Sequence, residues 1–449
     1  MRLSREFFHK FTPAQIIAFY YFLAIASSFL LLNLPGVYKP GVKVAFIDSL
    51  FTAVSAVSVT GLSPISIGET YSVFGLCMIM LVLQLGGIGI MSLGTFFWLL
   101  VKKKIGMRER QLIMIDTNQY TLQGVVQLIR QIIQIIVAIE IIGGGILTLY
   151  IYRFYNSFSE ALLNGMFMAV SATTNAGFDI TGSSMVPYHD DYFVQLILMI
   201  LIILGAIGFP VLIEVKSFFS KKVPHFRFSL FTKITTATFG ILLLVGTLTI
   251  WLLESFNSFK GMSWHQQFFT ALFHSVSARS AGLVTYDVTQ FSEATDIFVS
   301  ALMFIGASPS SVGGGIRTTT FAIALLFLIN FARGNDVIHI FKRQIKLIDV
   351  FRSYAVILVA CFMVLAALLL LLLTEPGIPV IPLLFEITSA FGTCGMSLGI
   401  TGDLSVTGKL IIMALMFIGR VGLISFIYTI GGKSNKTPYH YPQERVIIG

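Results

Sequence analysis

Eight long apolar segments, alternating with four that are too short to cross a bilayer, constrain this 449-residue chain more than any other feature. A membrane helix needs about 20 apolar residues. The long segments lie near 12–34, 71–101, 123–153, 192–219, 229–254, 293–332, 350–374 and 408–430. Within each successive pair sits an apolar stretch of about 12–15 residues, below spanning length, near 45–60, 160–176, 265–281 and 380–394, and each of these runs into a glycine-containing turn. Hydrophobic residues make up 56% of the chain and charged residues 11%, with a mean hydropathy of +0.87. A soluble domain carries about 25% charged residues, so these segments read as membrane-embedded.

The net charge of +9 sits in alternate connections between apolar runs, not on a nucleic-acid-binding face. Arg2, Arg5 and Lys10 open the chain; Lys102, Lys103, Lys104, Arg108 and Arg110 follow the second segment; Lys216, Lys221, Lys222, Arg227 and Lys233 follow the fourth. Arg333, Lys342, Arg343, Lys346 and Arg352 follow the sixth, and Lys433, Lys436 and Arg445 the eighth. The other connections carry Glu69, Asp179, Asp190, Asp191, Glu254, Asp287, Glu293, Asp296 and Asp403. Basic loops stay on the cytoplasmic side, so both termini are expected inside, with lipid and not nucleic acid as the surrounding partner. The first apolar run continues into a full span and reads as a retained helix, not a cleaved signal peptide. Cys77, Cys361 and Cys394 have no spacing that suggests a disulfide or a zinc site.

Both flanks of each short stretch lie on the acidic, outer side, so each stretch enters and leaves by one face. The repeating unit is span, re-entrant loop, span. Ser55-Ala56…Gly61, Ser171-Ala172…Gly177, Ser277-Ala278…Gly282 and Ser389-Ala390…Gly395 repeat in step, and Gly86, Gly205, Gly306 and Gly419 follow at 25, 28, 24 and 24 residues. The repeats cover 1–110, 111–225, 226–340 and 341–432, with a cytoplasmic tail at 433–449. All four begin inside and so run parallel, unlike the inverted repeats of many transporters. The expected fold class is all-α integral membrane: four tandem span–pore loop–span repeats, with eight transmembrane helices and four re-entrant loops around one central pore.

Irregular backbone at membrane depth survives only when buried in protein or lining a water-filled path. Glycine at a turn permits φ > 0, which lets successive carbonyls face one line, and rings of backbone carbonyls can replace the hydration shell of potassium. The expected lining segments are Val59-Thr60-Gly61, Asn175-Ala176-Gly177, Ser280-Ala281-Gly282 and Thr393-Cys394-Gly395. Helix starts are marked by Ser157-Phe-Ser-Glu160 and Ser263-Trp-His-Gln266, which fit capping boxes, by Asp48 as a cap for the first stretch and by Pro382 at N1 of the fourth. The helix C-termini would then aim their partial negative charge at a cation. Small residues also mark close-packed helix interfaces, but packing alone leaves the short length unexplained.

These motifs resemble the Ktr/Trk/HKT superfamily, specifically the bacterial Ktr-type membrane subunit. The likeness runs from the first span to Gly432 and rests on Val-Thr-Gly-Leu (59–62), Thr-Asn-Ala-Gly-Phe (174–178), Ser-Ala-Arg-Ser-Ala-Gly (277–282) and Gly-Thr-Cys-Gly (392–395). It implies one filter glycine per repeat. Plant relatives with serine at the first such position tend toward sodium, so Gly61 implies potassium as substrate. Cys394 departs from the aliphatic residue expected there, with a modest effect because the carbonyl does the coordinating. The resemblance also implies a homodimer in a bacterial plasma membrane and a separate cytosolic ring that binds ATP or ADP. It leaves open whether sodium activates.

Two features lie beneath the expected filter. Arg420, in Phe-Ile-Gly-Arg-Val-Gly, is an intramembrane arginine and so a functional candidate; packing against buried carbonyls is the plainer reading, and the resemblance implies a barrier facing the pore. As one helix, 293–333 would reach about 60 Å, twice the hydrocarbon thickness. Gly306, Pro309, Gly313, Gly314 and Gly315 interrupt it, and the resemblance makes 306–320 an intramembrane gate. The Gly-Gly-Gly-Ile-Arg-Thr-Thr run lacks the Gly-Lys-Ser/Thr end of a nucleotide loop and does not follow a strand. Arg279 either anchors its short helix or tunes the outer mouth, and His265 and His274 lack metal-ligand spacing. No nucleophile, metal cluster or carboxylate pair supports an enzyme, and no cofactor is expected in this chain. A sodium-coupled potassium carrier with alternating access is the alternative to a gated filter.

Overall fold

The computed structural model describes residues 12–89, 114, 125–219, 226–335, 337–423, 426 and 444. The expected basic residues Arg2, Arg5, Lys10, Lys102, Lys103, Lys104, Arg108, Arg110, Lys221, Lys222, Lys433, Lys436 and Arg445 lie outside this set. So do the lower part of the expected second span, most of the last span beyond Leu423 and, apart from Glu444, the tail.

The chain begins with α1 (Pro13–Leu32), started by Thr12, whose backbone N–H donates to Gln15 Oε1 at 2.9 Å, and by Pro13 at the first helical position. It continues with α2 (Phe46–Ser58), α3 (Val73–Ile88), α4 (Val125–Ile151), α5 (Phe158–Thr173), α6 (Tyr192–Ala206), α7 (Phe209–Phe219), α8 (Leu230–Glu254) and α9 (Trp264–Ser277). Then come α10 (Glu293–Phe304), α11 (Thr318–Ala332), β1 (His339–Ile340), β2 (Arg343–Gln344), α12 (Leu347–Thr374), α13 (Val380–Gly392) and α14 (Val406–Val421).

Among the described residues, four helices have the length and composition to cross a membrane, within Gln15–Leu32, Val126–Phe154, Leu230–Glu254 and Leu347–Thr374. A fifth arises if α6 and α7 count as one span. The remaining expected spans are represented by α3 and α14, whose lower ends leave the described set, and by the broken pair α10 and α11. Large apolar side chains such as Phe22, Leu149, Leu244, Leu252, Leu358 and Leu373 face outward, which suits hydrocarbon and not water.

The structure departs from the sequence reading in four places. The segment expected to span continuously over 192–219 bends by 104° between α6 and α7, because Gly208 takes φ +100° and Pro210 brings no backbone donor. The expected all-α chain contains a hairpin, β1 antiparallel to β2, turned by Phe341 and Lys342 at φ 49° and 62°; neither residue belongs to the Asn-Gly chemistry that usually signals such a turn. Asp48 does not cap α2. The cap position is Ala45, and the Asp48 carboxylate instead pairs with Lys409 Nζ of α14 at 2.8 Å. Pro382 is the third residue of α13, not the first, and still falls where no intrahelical donor is needed.

The short helices α2, α5, α9 and α13 occupy the interior. Each packs against the long helix before it: α1, α4, α8 and α12 respectively. Each also packs against a second helix: α14 on α2, α3 on α5, α6 on α9 and α10 on α13. The last helix, α14, thereby closes onto the first short one, α2. A core of Ile17, Phe51, Val82, Phe167 and Met416 joins α1, α2, α3, α5 and α14.

Candidate functional site

The four short helices end in turns of matching backbone conformation. Val59, Asn175, Ser280 and Thr393 have φ of 56°, 51°, 88° and 47°, and Gly61, Gly177, Gly282 and Gly395, two residues later, have φ of 94°, 70°, 71° and 100°. Non-glycine residues hold left-handed φ only where their surroundings enforce it.

The enforcement comes from the short helices. Thr60, Ala176 and Cys394 donate their N–H groups to the carbonyls of Ser55, Ser171 and Ser389 at 2.9, 2.8 and 2.8 Å, and Ala281 donates to Ser277 O at 2.8 Å. The same serines use their hydroxyls. Gly61 N and Gly395 N donate to Ser55 Oγ and Ser389 Oγ at 3.1 and 3.0 Å, whereas Ser171 Oγ and Ser277 Oγ donate to the carbonyls of Phe178 and Leu283, just past the glycines. A repeated serine visible in the sequence thus ties each turn to its own helix.

The four turns meet in a closed cycle. A Cβ built on Gly61 would strike the Ala176 carbonyl oxygen, and one on Gly177 would lie 2.8 Å from Ala281 O. One on Gly282 would strike Cys394 O, and one on Gly395 would strike Thr60 O. The residues expected to line one site, Val59, Thr60, Gly61, Asn175, Ala176, Gly177, Ser280, Ala281, Gly282, Thr393, Cys394 and Gly395, are therefore brought together, with the carbonyl preceding each glycine set against the neighbouring turn. α2, α5, α9 and α13 run C-terminus first into this cluster, the end that carries partial negative charge.

Sequence spacing also pairs Gly86, Gly205, Gly306 and Gly419, and the structure supplies the reason for three. Added Cβ atoms on Gly86, Gly205 and Gly419 would strike the carbonyls of Val57, Thr173 and Phe391, at the ends of α2, α5 and α13. Glycine lets the long helix pass against the end of the short one. Gly306 differs and abuts Gly314.

Below the turns, the helices that follow them break. Gly89 after α3 and Gly422 after α14 share φ, ψ near 91°, 133° and 89°, 137°, and α6 breaks at Gly208. Between α10 and α11 the break becomes a loop over 305–317. Its backbone groups find partners in the break of α6: Ser308 N donates to Ala206 O at 3.1 Å, Val312 N to Gly205 O at 3.3 Å, and Phe209 N to Ser310 O at 2.9 Å. Two interruptions thus satisfy each other's orphaned groups. The sequence reading missed this pairing, although Gly208-Phe209-Pro210 marks the break.

The loop lies directly against the turns. Gly314 N donates to Thr393 Oγ1 at 2.7 Å, and Cβ atoms on Gly313 and Gly315 would crowd Ala307 Cβ at 2.6 Å and Gly392 Cα at 3.1 Å. Pro309 O faces Gly208. Arg317 Nη1 donates to Gly313 O and to Ser308 O.

Arg420 is buried in α14, and its Nη2 donates to the carbonyls of Gly86 and Gly87 at the end of α3. Arg279 is fully buried and donates from Nη2 to Gly306 O at 2.8 Å, with its face toward the Phe239 ring, so it holds the loop's upper end. His274 bridges the carbonyls of Thr270 and Tyr286 at 2.9 and 3.1 Å, and His265 pairs with the Tyr192 hydroxyl at 2.6 Å.

An apolar helical bundle with membrane-length helices and a buried, backbone-lined centre defines a membrane-embedded protein. The family model described as TrkH, cation transport protein, matches residues 15–435, and the chain belongs to that family of cation transporters, which are not enzymes. The chain is 55% identical to Ktr system potassium uptake protein D of Bacillus subtilis over 438 residues, covering 98% of this chain and 97% of the relative. It is 33% identical to the potassium/sodium uptake protein NtpJ of Enterococcus hirae over 98% of each chain. The potassium transporter TrkH from Vibrio parahaemolyticus shares the fold with a TM-score of 0.71 at 18% identity, over 92% of this chain and 83% of that one.

Proposed function

We propose that this protein carries potassium into the cell across the plasma membrane through a filter lined by backbone carbonyls of the four turns at 59–61, 175–177, 280–282 and 393–395. The observation that carries the reading is the closed cycle from Gly61 to Ala176, Gly177 to Ala281, Gly282 to Cys394 and Gly395 to Thr60. A cycle of carbonyl-bearing turns at helix C-termini offers a cation its coordination without any charged side chain. The names of the relatives, which specify potassium uptake, support the choice of ion.

On this reading the chain is four span–pore loop–span repeats, 1–110, 111–225, 226–340 and 341–432, around one pore, with both termini cytoplasmic. The cyclic packing of each short helix against its neighbour's long helix supports that division. The segment at 306–320, whose last three residues form the first turn of α11, acts as the gate, with Gly306, Pro309, Gly313, Gly314 and Gly315 allowing it to move and Arg420 as an electrostatic barrier beneath the filter. A homodimer and a cytosolic ATP- or ADP-binding ring complete the working assembly, the ring acting on the basic connection from Arg333 to Arg352. Sodium acts as an activator.

Potassium uptake in a cell lacking its own uptake systems, with and without sodium, tests the proposal. The expected result is growth and rapid uptake at low potassium, enhanced by sodium, with no fixed sodium-to-potassium ratio. A fixed ratio and carrier-like turnover would favour an alternating-access, sodium-coupled carrier instead.

A further inference from the structure

Two hydroxyls occupy the boundary between the loop and the turns above it. Thr393 Oγ1 accepts from Gly314 N at 2.7 Å. Ser280 Oγ lies 2.8 Å from Thr393 O and 3.1 Å from Gly392 O, both of which it can donate to, and 3.3 Å from Thr393 Oγ1. Thr393, Ser280 and Gly314 are all buried.

The fit here is close. A Cβ on Gly313 would come within 2.7 Å of Ser280 Cβ, and one on Gly314 within 2.7 Å of both Thr393 Oγ1 and Cγ2. Two of the three consecutive glycines are therefore required by contact with these hydroxyl-bearing residues, and not by flexibility alone. Arg279, the neighbour of Ser280, holds Gly306 O, so the third turn grips the loop near both of its ends. The matching residues of the other two turns are engaged elsewhere. Val59 has no polar side-chain atom, and the Asn175 amide, oriented as its neighbours require, pairs with Ala172 O, Ile202 O and Ala206 N.

A hydroxyl offers one proton and two lone pairs. With the loop seated, Gly314 N–H occupies a lone pair of Thr393 Oγ1, and the Ser280 proton is directed at the Thr393 carbonyl. With the loop withdrawn, Thr393 Oγ1 loses its donor in a buried site, where an unpaired polar atom is costly. Ser280 Oγ is then drawn to Thr393 Oγ1, and the Thr393 carbonyl at the inner end of the fourth turn is released.

We infer that Ser280 and Thr393 form a hydroxyl relay that couples the position of the loop to the backbone of the third and fourth turns, so that opening the gate also resets ion selection on that side of the ring. The inference rests on the gating role proposed above for the loop. Thr393 acts as a positioning residue through its side chain, separately from any carbonyl contact with the ion.

The test uses the purified full chain in proteoliposomes, measuring potassium flux and the potassium-to-sodium permeability ratio. The wild type, Thr393→Val and Thr393→Ser are each compared with and without deletion of 308–315. Thr393→Val is expected to raise flux in the intact chain by about tenfold, the effect of removing one buried acceptor. Thr393→Ser keeps the acceptor for Gly314 N and is expected to raise flux less than Thr393→Val, and in the deletion background this difference between the two substitutions should vanish. Deletion alone should shift the permeability ratio toward that of Thr393→Val. An equal effect of Thr393→Val in both backgrounds, or wild-type flux in a folded Thr393→Val protein, overturns the relay. If deletion alone leaves flux low, the gating reading falls first and the relay with it. Should Thr393→Val fail to elute as a folded protein, Ser280→Ala is used instead: it removes the donor to Thr393 O, so deletion of 308–315 should no longer shift the permeability ratio in that background, and a shift as large as in the wild type overturns the relay.

Discussion

The four turns and the four helix breaks beneath them contrast sharply, although each break follows a turn along the chain. At the turns, left-handed φ appears twice in each copy, two residues apart, and a serine from the preceding helix ties the glycine or the residue after it. A few ångströms below, the copies diverge. Gly89 and Gly422 end their helices with the same φ and ψ, Gly208 turns its helix through 104°, and a loop at 305–317 plugs into the break at Gly208. Backbone carbonyls must be nearly equivalent if they are to share one cation, so that level tolerates little variation. Control needs an element with two arrangements, and the asymmetry lies where such an element would work.

Four experiments would break or sharpen this contrast. The largest effect is expected from deleting residues 308–315, which removes the asymmetric level and leaves the turns in place. Flux should rise by about a hundredfold, as when a closed state favoured 99 to 1 is removed, and should no longer respond to the nucleotide bound by the regulator. Low, nucleotide-controlled flux from a folded deletion protein would mean that the loop is not the gate.

Gly61→Ser attacks the symmetric level. The new Cβ would strike Ala176 O, and serine would have to hold φ +94°. A backbone strain of about 1–3 kcal/mol should cut discrimination against sodium by about tenfold or more while the protein still folds. An unchanged potassium-to-sodium ratio in flux measurements would remove Gly61 from the filter.

Arg420→Gln probes the boundary between the two levels. Neutralising this guanidinium should raise potassium flux several-fold, about 1 kcal/mol of barrier on the scale of tenfold per 1.4 kcal/mol. If the arginine serves only to tie α14 to Gly86 and Gly87, the yield of folded protein will fall instead, with transport per molecule unchanged.

The smallest effect is expected from Ser389→Ala, which leaves Gly395 N without its hydroxyl partner. The loss is about 1 kcal/mol, visible as lower thermal stability and a slight loss of selectivity. Ser171→Ala, whose hydroxyl donates instead to Phe178 O, should behave alike if the four turns are held equivalently. A large difference between the two would show that the symmetry of conformation hides an asymmetry of support.

Much of this organisation was legible in the chain. The short apolar stretches stood out as below spanning length, and the Ser…Gly spacing located the turns that end them. The triple glycine and Pro309 marked the loop. Asp48 was misread because capping chemistry is local, whereas its partner Lys409 comes from α14, 361 residues away. Arg279 remained open between two roles until its partner, Gly306 O, was in view. The hairpin turn at Phe341 and Lys342 carried no turn signature at all.

The sequence by itself determined which segments prefer hydrocarbon, which are too short to cross it, and where glycine frees the backbone. These are properties of composition and local sterics, expressed within a few residues along the chain. The tertiary structure decided the order of the ring, with Gly395 against Thr60 closing the last turn onto the first. It also decided that the loop between α10 and α11 fills the break between α6 and α7, and that Thr393 and Ser280 meet Gly313 and Gly314. Such contacts join residues far apart in sequence, and their buried polar groups can be satisfied only by whichever partner the packing delivers.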